Sequence, residues 1–293
     1  MRIKASPYFL LVLTSLFWAG NFVLGRAVKA TIPPVGLAFW RWAIALVVLL
    51  PFSLPHLRSQ WPLLRDNLRP LVVYGVLGVA CFNTFVYIGL HSTTAINALL
   101  VNSIIPVLIV VLSRGLAYTP VTRPQAIGIV LSLAGVITII CRADISLLMS
   151  LHVNRGDLWV LLAVVCWAFY TFLLRRRPAG IHPLSFLSAI IIIGLCVLAP
   201  FYVWETSRGA LVGTDLVTFG SILYVALFPS VLAFIFWTQA VGEVGPNKAG
   251  LFLHLMPVFG AILSSVFLGE TLHLFHLAGM GLIFSGIYLA TAG

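Results

Sequence analysis

The sequence predicts an all-α integral membrane protein with ten transmembrane helices arranged as two inverted five-helix repeats. Three observations carry this expectation. Hydrophobic residues make up 61% of the 293 and charged residues only 8%, against about 25% charged in a soluble domain, so the chain cannot assemble a water-exposed surface. Apolar runs of about 20 residues, the length that crosses a bilayer, recur along the whole chain. The second half also repeats the Trp, Pro and Gly punctuation of the first.

Residues 7–29 form the first run. They follow a basic start, MRIKASP, that resembles a signal peptide, but the apolar stretch continues past Trp18 to Gly25 with no small-x-small cleavage site, so a retained helix is expected. Runs at 35–54, 69–90, 95–116 and 123–141 complete the first half; those at 157–175, 182–203, 216–238, 246–267 and 272–291 form the second. The longest polar connections, 55–68 and 142–156, are too short to fold as soluble domains. The expected units are 1–142 and 155–293, and function has to reside within the membrane or in brief loops.

The formal net charge is +10. Its Lys and Arg residues lie mostly between the apolar runs or near their ends and form no basic helix face, which argues for topology and against a nucleic-acid partner. An N-terminus in the cytoplasm places eleven of them inside, the triplet Arg175–Arg177 included, and six outside. The bias predicts cytoplasmic N- and C-termini. Cys81, Cys141, Cys166 and Cys196 lie in or at the end of apolar runs with no CxxC pair or neighbouring His, and read as small hydrophobes; no metal or cofactor is expected.

At an offset of 149, Trp18, Ala19, Arg26, Pro34 and Pro51 match Trp167, Ala168, Arg175, Pro183 and Pro200; at 151, Pro106, Val107, Gly128, Leu131 and Gly135 match Pro257, Val258, Gly279, Leu282 and Gly286. Five helices per half is an odd number, so the halves must enter the membrane from opposite sides.

WAGNFVLGR, PVGLAFWR, PVFGAILSSVFLGETL and HLAGMGLIFSG together resemble the EamA-type, ten-helix branch of the drug/metabolite transporter superfamily. The first half carries a weaker copy, with Ala117, Tyr118 and Thr119 where the second has Gly269, Glu270 and Thr271. Within the superfamily the chain is most similar to the YddG-type exporters. The resemblance implies two five-helix bundles around a central cavity. It also implies a bacterial inner-membrane protein that exports aromatic and other neutral amino acids or related metabolites.

Residue chemistry is a separate matter. Trp40, Trp42, Trp61, Trp159, Trp204 and Trp237 fall near expected helix ends and read as an interfacial belt. Trp18 and Trp167 fall about 15 Å into their helices, near the midplane. Trp18 shares a face with Asn21 and Gly25; Trp167 shares one with Tyr170. Asn83 with Tyr87, Asn102, and His254 add polar groups that must either line a wet cavity or bond between helices. Pro106 and Pro257 each remove a backbone hydrogen bond and are candidate hinges, a packing kink being the alternative. The seven acids lie in loops or at helix ends, and Arg26, Arg41 and Lys248 read as snorkelling helix-end charges, a cavity role being the alternative. HExxH, GxSxG and paired carboxylates are missing, which argues against an enzyme.

The candidate substrate-binding set is therefore Trp18, Asn21, Asn83, Tyr87, Asn102, Trp167, Tyr170 and His254, suited to a neutral or zwitterionic small molecule. Lipophilic cations held by cation-π contact are an alternative cargo. A membrane-embedded enzyme or a scaffold is the alternative from another class. The lipid bilayer is the one sure partner, and oligomeric state stays open.

Overall fold

The computed structural model describes residues 3–28, 31–93, 95–118, 120–149, 154–268 and 271–292. Ten long helical segments follow one another: α1 Pro7–Ala27, α2 Pro34–Ser59, α3 Leu68–Ser92, α4 Asn97–Ala117, α5 Arg123–Ile140, α6 Arg155–Leu174, α7 Pro183–Ser207, α8 Leu216–Val244, α9 (Pro246–Leu251, Phe252–His254 and Leu255–Leu268) and α10 Leu274–Ala292. Nine of them, among the described residues, are long and apolar enough to cross a membrane. The other, α9, is divided by a single 3-10 turn at Phe252–His254.

Starts are set by proline and polar caps. Pro7, Pro34, Pro183 and Pro246 occupy first turns, where the missing N–H has no intrahelical role. Thr122 with Gln125 and Asn154 with Asp157 form capping boxes at α5 and α6, and Asp215 accepts from the Thr218 N–H at 2.9 Å to start α8. The Thr218 hydroxyl, first, and its backbone N–H hold the exposed Asp215 carboxyl below the usual carboxylate range.

The packing obeys a pseudo-two-fold exchange. α1 lies against α8 and α9, and its counterpart α6 lies against α3 and α4; α2 packs on α7, α4 on α9 and α5 on α10. Each contact maps onto itself or its mate when the halves are swapped, as an inverted repeat requires. Backbone irregularities obey it too. A seven-residue π-helical stretch occurs at Gly75–Cys81 in α3 and again at Ala226–Leu232 in α8, 151 residues later. Helix α4 is interrupted at Ser103–Ile104 and α9 at Phe252–His254. These breaks come just before Pro106 and Pro257, whose missing N–H groups leave the carbonyls of Asn102 and Leu253 without their helical partners.

Two seams join the halves. Along α5 and α10, glycines bring backbones into contact: a Cβ on Gly286 would lie 2.5 Å from the Gly128 carbonyl oxygen, and one on Gly135 would lie 2.5 Å from that of Gly279. Along α2 and α7 the contact is polar at both ends. Glu205, near the C-terminus of α7, accepts from the N–H groups of Val35 (3.1 Å) and Gly36 (2.7 Å) at the start of α2. Gln60, at the end of α2, accepts from the His182 N–H at 2.9 Å and donates to the Gly180 carbonyl at 2.8 Å at the start of α7. Between them the hydroxyls of Ser53 and Ser188 meet at 2.8 Å. Each helix thus satisfies donors at or near the other's N-terminus.

Gly286→Ala should therefore destabilise the protein by about 1–3 kcal/mol through overpacking. Gly281→Ala, where a Cβ meets nothing within 4 Å, should be neutral or slightly stabilising. Thermal unfolding in detergent compares the two; equal effects would contradict the close approach.

Candidate functional site

The site grows out of the π-helical stretch in α8. Pro229 has no N–H, so the carbonyl of Val225 loses its helical donor, and the Ser230 hydroxyl takes that place at 2.7 Å. Ser230 then has a free lone pair, which accepts from Arg41 Nε at 2.8 Å. The Pro229 carbonyl in turn accepts from Trp18 Nε1 at 3.0 Å. One proline in α8 thereby fixes a guanidinium from α2 and an indole from α1.

Arg41 is 1% exposed. Its Nη1 donates to Asn83 Oδ1 (2.7 Å), Tyr87 Oη (2.6 Å) and, at a longer 3.4 Å, Asn21 Oδ1. The Tyr87 hydroxyl donates to Asn21 Oδ1 at 2.9 Å. All these partners are neutral. Burying an ion costs several kcal/mol; hydrogen bonds to a charged group contribute about 1.5–3 kcal/mol each, so the three short ones offset that cost without an internal counter-ion. The sequence-based reading of Arg41 as a snorkelling end charge is corrected here. It stands two turns into α2, and its side chain is directed to the bundle axis rather than to the headgroups.

Below this network lies an aromatic cluster. Trp18 and Trp167 meet edge to face with ring centroids 5.0 Å apart, and Trp237 lies 5.2 Å from Trp18 and 5.9 Å from Trp167. Phe234 touches both Trp18 and Trp167, at 6.1 and 5.5 Å, and Tyr170 lies 5.0 Å from Trp167. Tyr170 fits against α3 because position 78 is glycine; a Cβ there would stand 2.6 Å from its ring. Trp42 and Trp237 are fully buried, which corrects their assignment to the interfacial belt; Trp40, Trp61, Trp159 and Trp204 are exposed as that assignment requires. The error at Trp237 has a simple source. Helix α8 runs on to Val244, so Trp237 sits two turns inside a helix that the sequence reading ended at 238.

A small chamber opens between these elements. Trp18, Asn21, Phe22, Phe82, Asn83, Asn102, Ile105, Trp167, Phe234, Leu253 and Met256 surround it, and its free volume of ≈ 10 Å³ amounts to about one water. Five of the eight residues singled out from sequence thus share one wall: Trp18, Asn21, Asn83, Asn102 and Trp167. Tyr87 and Tyr170 stand behind them. His254 lies elsewhere, joining α9 to α5 and α4 through the Ser132 hydroxyl (2.7 Å) and the Ser103 carbonyl (3.0 Å). Sequence reasoning missed Phe234, Trp237 and Ser230; the Pro229–Ser230 pair inside an apolar run was the available signal.

Two chamber groups lack partners: Asn83 Nδ2 and Asn102 Oδ1 are buried with no hydrogen bond. On the face that carries the N-terminus, a larger hollow of ≈ 400 Å³ is bounded by Arg177, Phe186, Thr238, Gln239 and Glu243, with Phe234 at its floor. Phe234 borders both spaces. Ile3 of the N-terminal segment is held at this rim by Gln239, through N–H to Oε1 (3.1 Å) and Nε2 to carbonyl (3.0 Å).

Ten interlocked helices in two inverted halves, enclosing a polar and aromatic chamber with a vestibule on one face, define a membrane protein of the carrier type. The sequence profile of the EamA-like transporter family matches residues 5–141 and 154–292, one match per half. The chain is 29% identical over 287 residues, 97% of its length and 93% of the relative's, to the "Uncharacterized transporter YyaM" of Bacillus subtilis (strain 168). It is 24% identical over 284 residues, 95% of its length and 88% of the relative's, to the "Uncharacterized inner membrane transporter YedA" of Escherichia coli (strain K12). A solved crystal structure shares the fold with a TM-score of 0.79 at 19% identity, covering 98% of this chain and 96% of that one. The protein belongs to the EamA-like transporter family and is a multi-pass membrane transporter.

If Phe234 is the partition, Phe234→Ala should join chamber and vestibule at a stability cost of about 3–5 kcal/mol. A cysteine introduced at Asn102 in a background freed of the four native thiols should then react several-fold faster with a small hydrophilic thiol reagent, at a rate unchanged if Phe234 is not the barrier.

Proposed function

We propose that this transporter exports aromatic and other neutral amino acids, or closely related metabolites, by alternating access. The observation that carries the reading is the chamber wall: two indoles and three phenylalanines, together with three amides of which two have an unmet hydrogen-bonding group. Such a surface suits a solute with an apolar ring at one end and polar groups at the other.

In this reading Trp18 and Trp167 stack on the side chain, while Asn21, Asn83 and Asn102 bond the amino and carboxylate groups. Tyr87 and Tyr170 hold that wall in place, and His254 ties the broken helices α4 and α9 to α5. Pro106 and Pro257 are the hinges about which the halves, residues 1–142 and 155–293, rearrange. The positive-inside bias puts both termini in the cytoplasm of a bacterial inner membrane. The vestibule beneath Phe234 is then the cytoplasmic approach, and the Arg41 network closes the far side. Lipophilic cations fit less well, because a buried guanidinium bonded to two of the three chamber amides repels them.

Purified protein in liposomes should show saturable flux of labelled phenylalanine, tryptophan or another neutral amino acid; no such flux for any of them would end the reading. Trp18→Ala and Trp167→Ala should each lower flux about tenfold or more while membrane abundance is retained. Parallel loss of folded protein and flux would instead assign the indoles to packing.

A further inference from the structure

We propose that Arg41 is the residue that sets specificity, making an acid group obligatory in whatever occupies the chamber. The inference deepens the carrier reading above and rests on it for the location of the site. Its physical basis is an uncompensated charge. Every described carboxylate is engaged elsewhere or stands at the surface: Glu205 on the Val35 and Gly36 amides, Asp157 on Thr93 and Asn97, Asp215 on Thr218, Asp144 on Ser146, Glu243 on Gln239 and Asp66 exposed. Among the described residues the guanidinium is therefore screened by dipoles alone, in a region where the effective dielectric is low.

Arg41 also orients the group that faces the cargo. It holds Asn83 by Oδ1, which turns the Nδ2 donor away from it, and that donor is buried at the chamber wall without an acceptor. When the chamber, which here has room for about one water, widens to admit a solute, a carboxylate placed there satisfies the orphaned N–H and brings a negative charge up to the guanidinium in the same step. Asn102, which also lines the chamber, offers an unpartnered Oδ1 to an ammonium group. A donor with positive charge behind it and a separate bare acceptor match the two ends of a zwitterion. An amine without an acid group meets the acceptor but leaves Asn83 Nδ2 unpaired and faces the Arg41 charge. Arg41 acts through Asn83 and is a positioning residue in this scheme.

The test uses the full-length protein and four probes that share one ring: L-phenylalanine, hydrocinnamate (no amine), phenethylamine (no acid) and L-phenylalaninamide (acid neutralised). Binding is read by quenching of indole fluorescence and by thermal shift. Phenylalanine and hydrocinnamate should bind, and phenethylamine and phenylalaninamide should bind about tenfold more weakly or worse. Arg41→Lys should keep that order; Arg41→Gln should bring phenylalanine and phenethylamine to within about twofold. Asn83→Asp, which hands Arg41 a carboxylate from the chain itself, should weaken both acids about tenfold and leave phenethylamine unweakened. Equal binding of phenethylamine and phenylalanine to the unaltered protein overturns the proposal, as does an unchanged order in Arg41→Gln and Asn83→Asp, or no binding of any probe. The two readings fail separately. Acid-dependent binding without amino-acid flux sinks the export reading alone, and flux with indifference to the acid group sinks this one.

Discussion

Inside hydrocarbon a backbone carbonyl that loses its helical donor must find another within the protein. That constraint decides where this fold can be irregular. Each departure from α-helix lies on an inward-facing stretch: the π-helical stretches of α3 and α8, the interruption of α4 and the 3-10 turn of α9. At Pro229 the freed groups are taken up by Ser230 and Trp18. At the break in α4, the Ser103 carbonyl is met by His254. The side chains enlisted for these repairs also shape the chamber or tie its supporting helices together, so the repair of the backbone and the building of the site are one construction.

Charge follows the same economy. A guanidinium in the bundle with only neutral partners is tolerable because its Nε and Nη1 donors meet oxygen acceptors from three other helices, α1, α3 and α8, which one residue of α2 thereby links. The aromatic cluster beneath it excludes water and keeps those bonds strong. The Arg41 network stands on the side of the chamber nearer the start of α2, and toward the N-terminal face the Phe234 ring borders both the chamber and the vestibule.

Much of the architecture was legible in the sequence, because hydropathy and Trp/Pro/Gly punctuation are local signals. The ten spans, the odd count per half and the 149 and 151 offsets led to the inverted pairing now seen between α1–α8 and α6–α3. The site was legible where a residue's depth and face sufficed, as for Trp18, Asn21 and Trp167. It was not legible where helix length mattered. Trp237 and Arg41 were misplaced because an apolar run does not reveal where its helix ends or which way a long side chain turns. Nor does one sequence disclose that Ser230 is recruited by its neighbouring proline; that follows only once the π-helical turn is seen.

The reciprocal clasp between α2 and α7 has a mechanical corollary. Glu205 fastens the pair on one side of the membrane, Gln60 fastens it on the other, and two serines meet halfway. A pair bonded at both ends and in the middle resists sliding, so under the alternating access proposed above the least costly relative motion of the halves is a tilt about that pair, with α2 and α7 as its fulcrum.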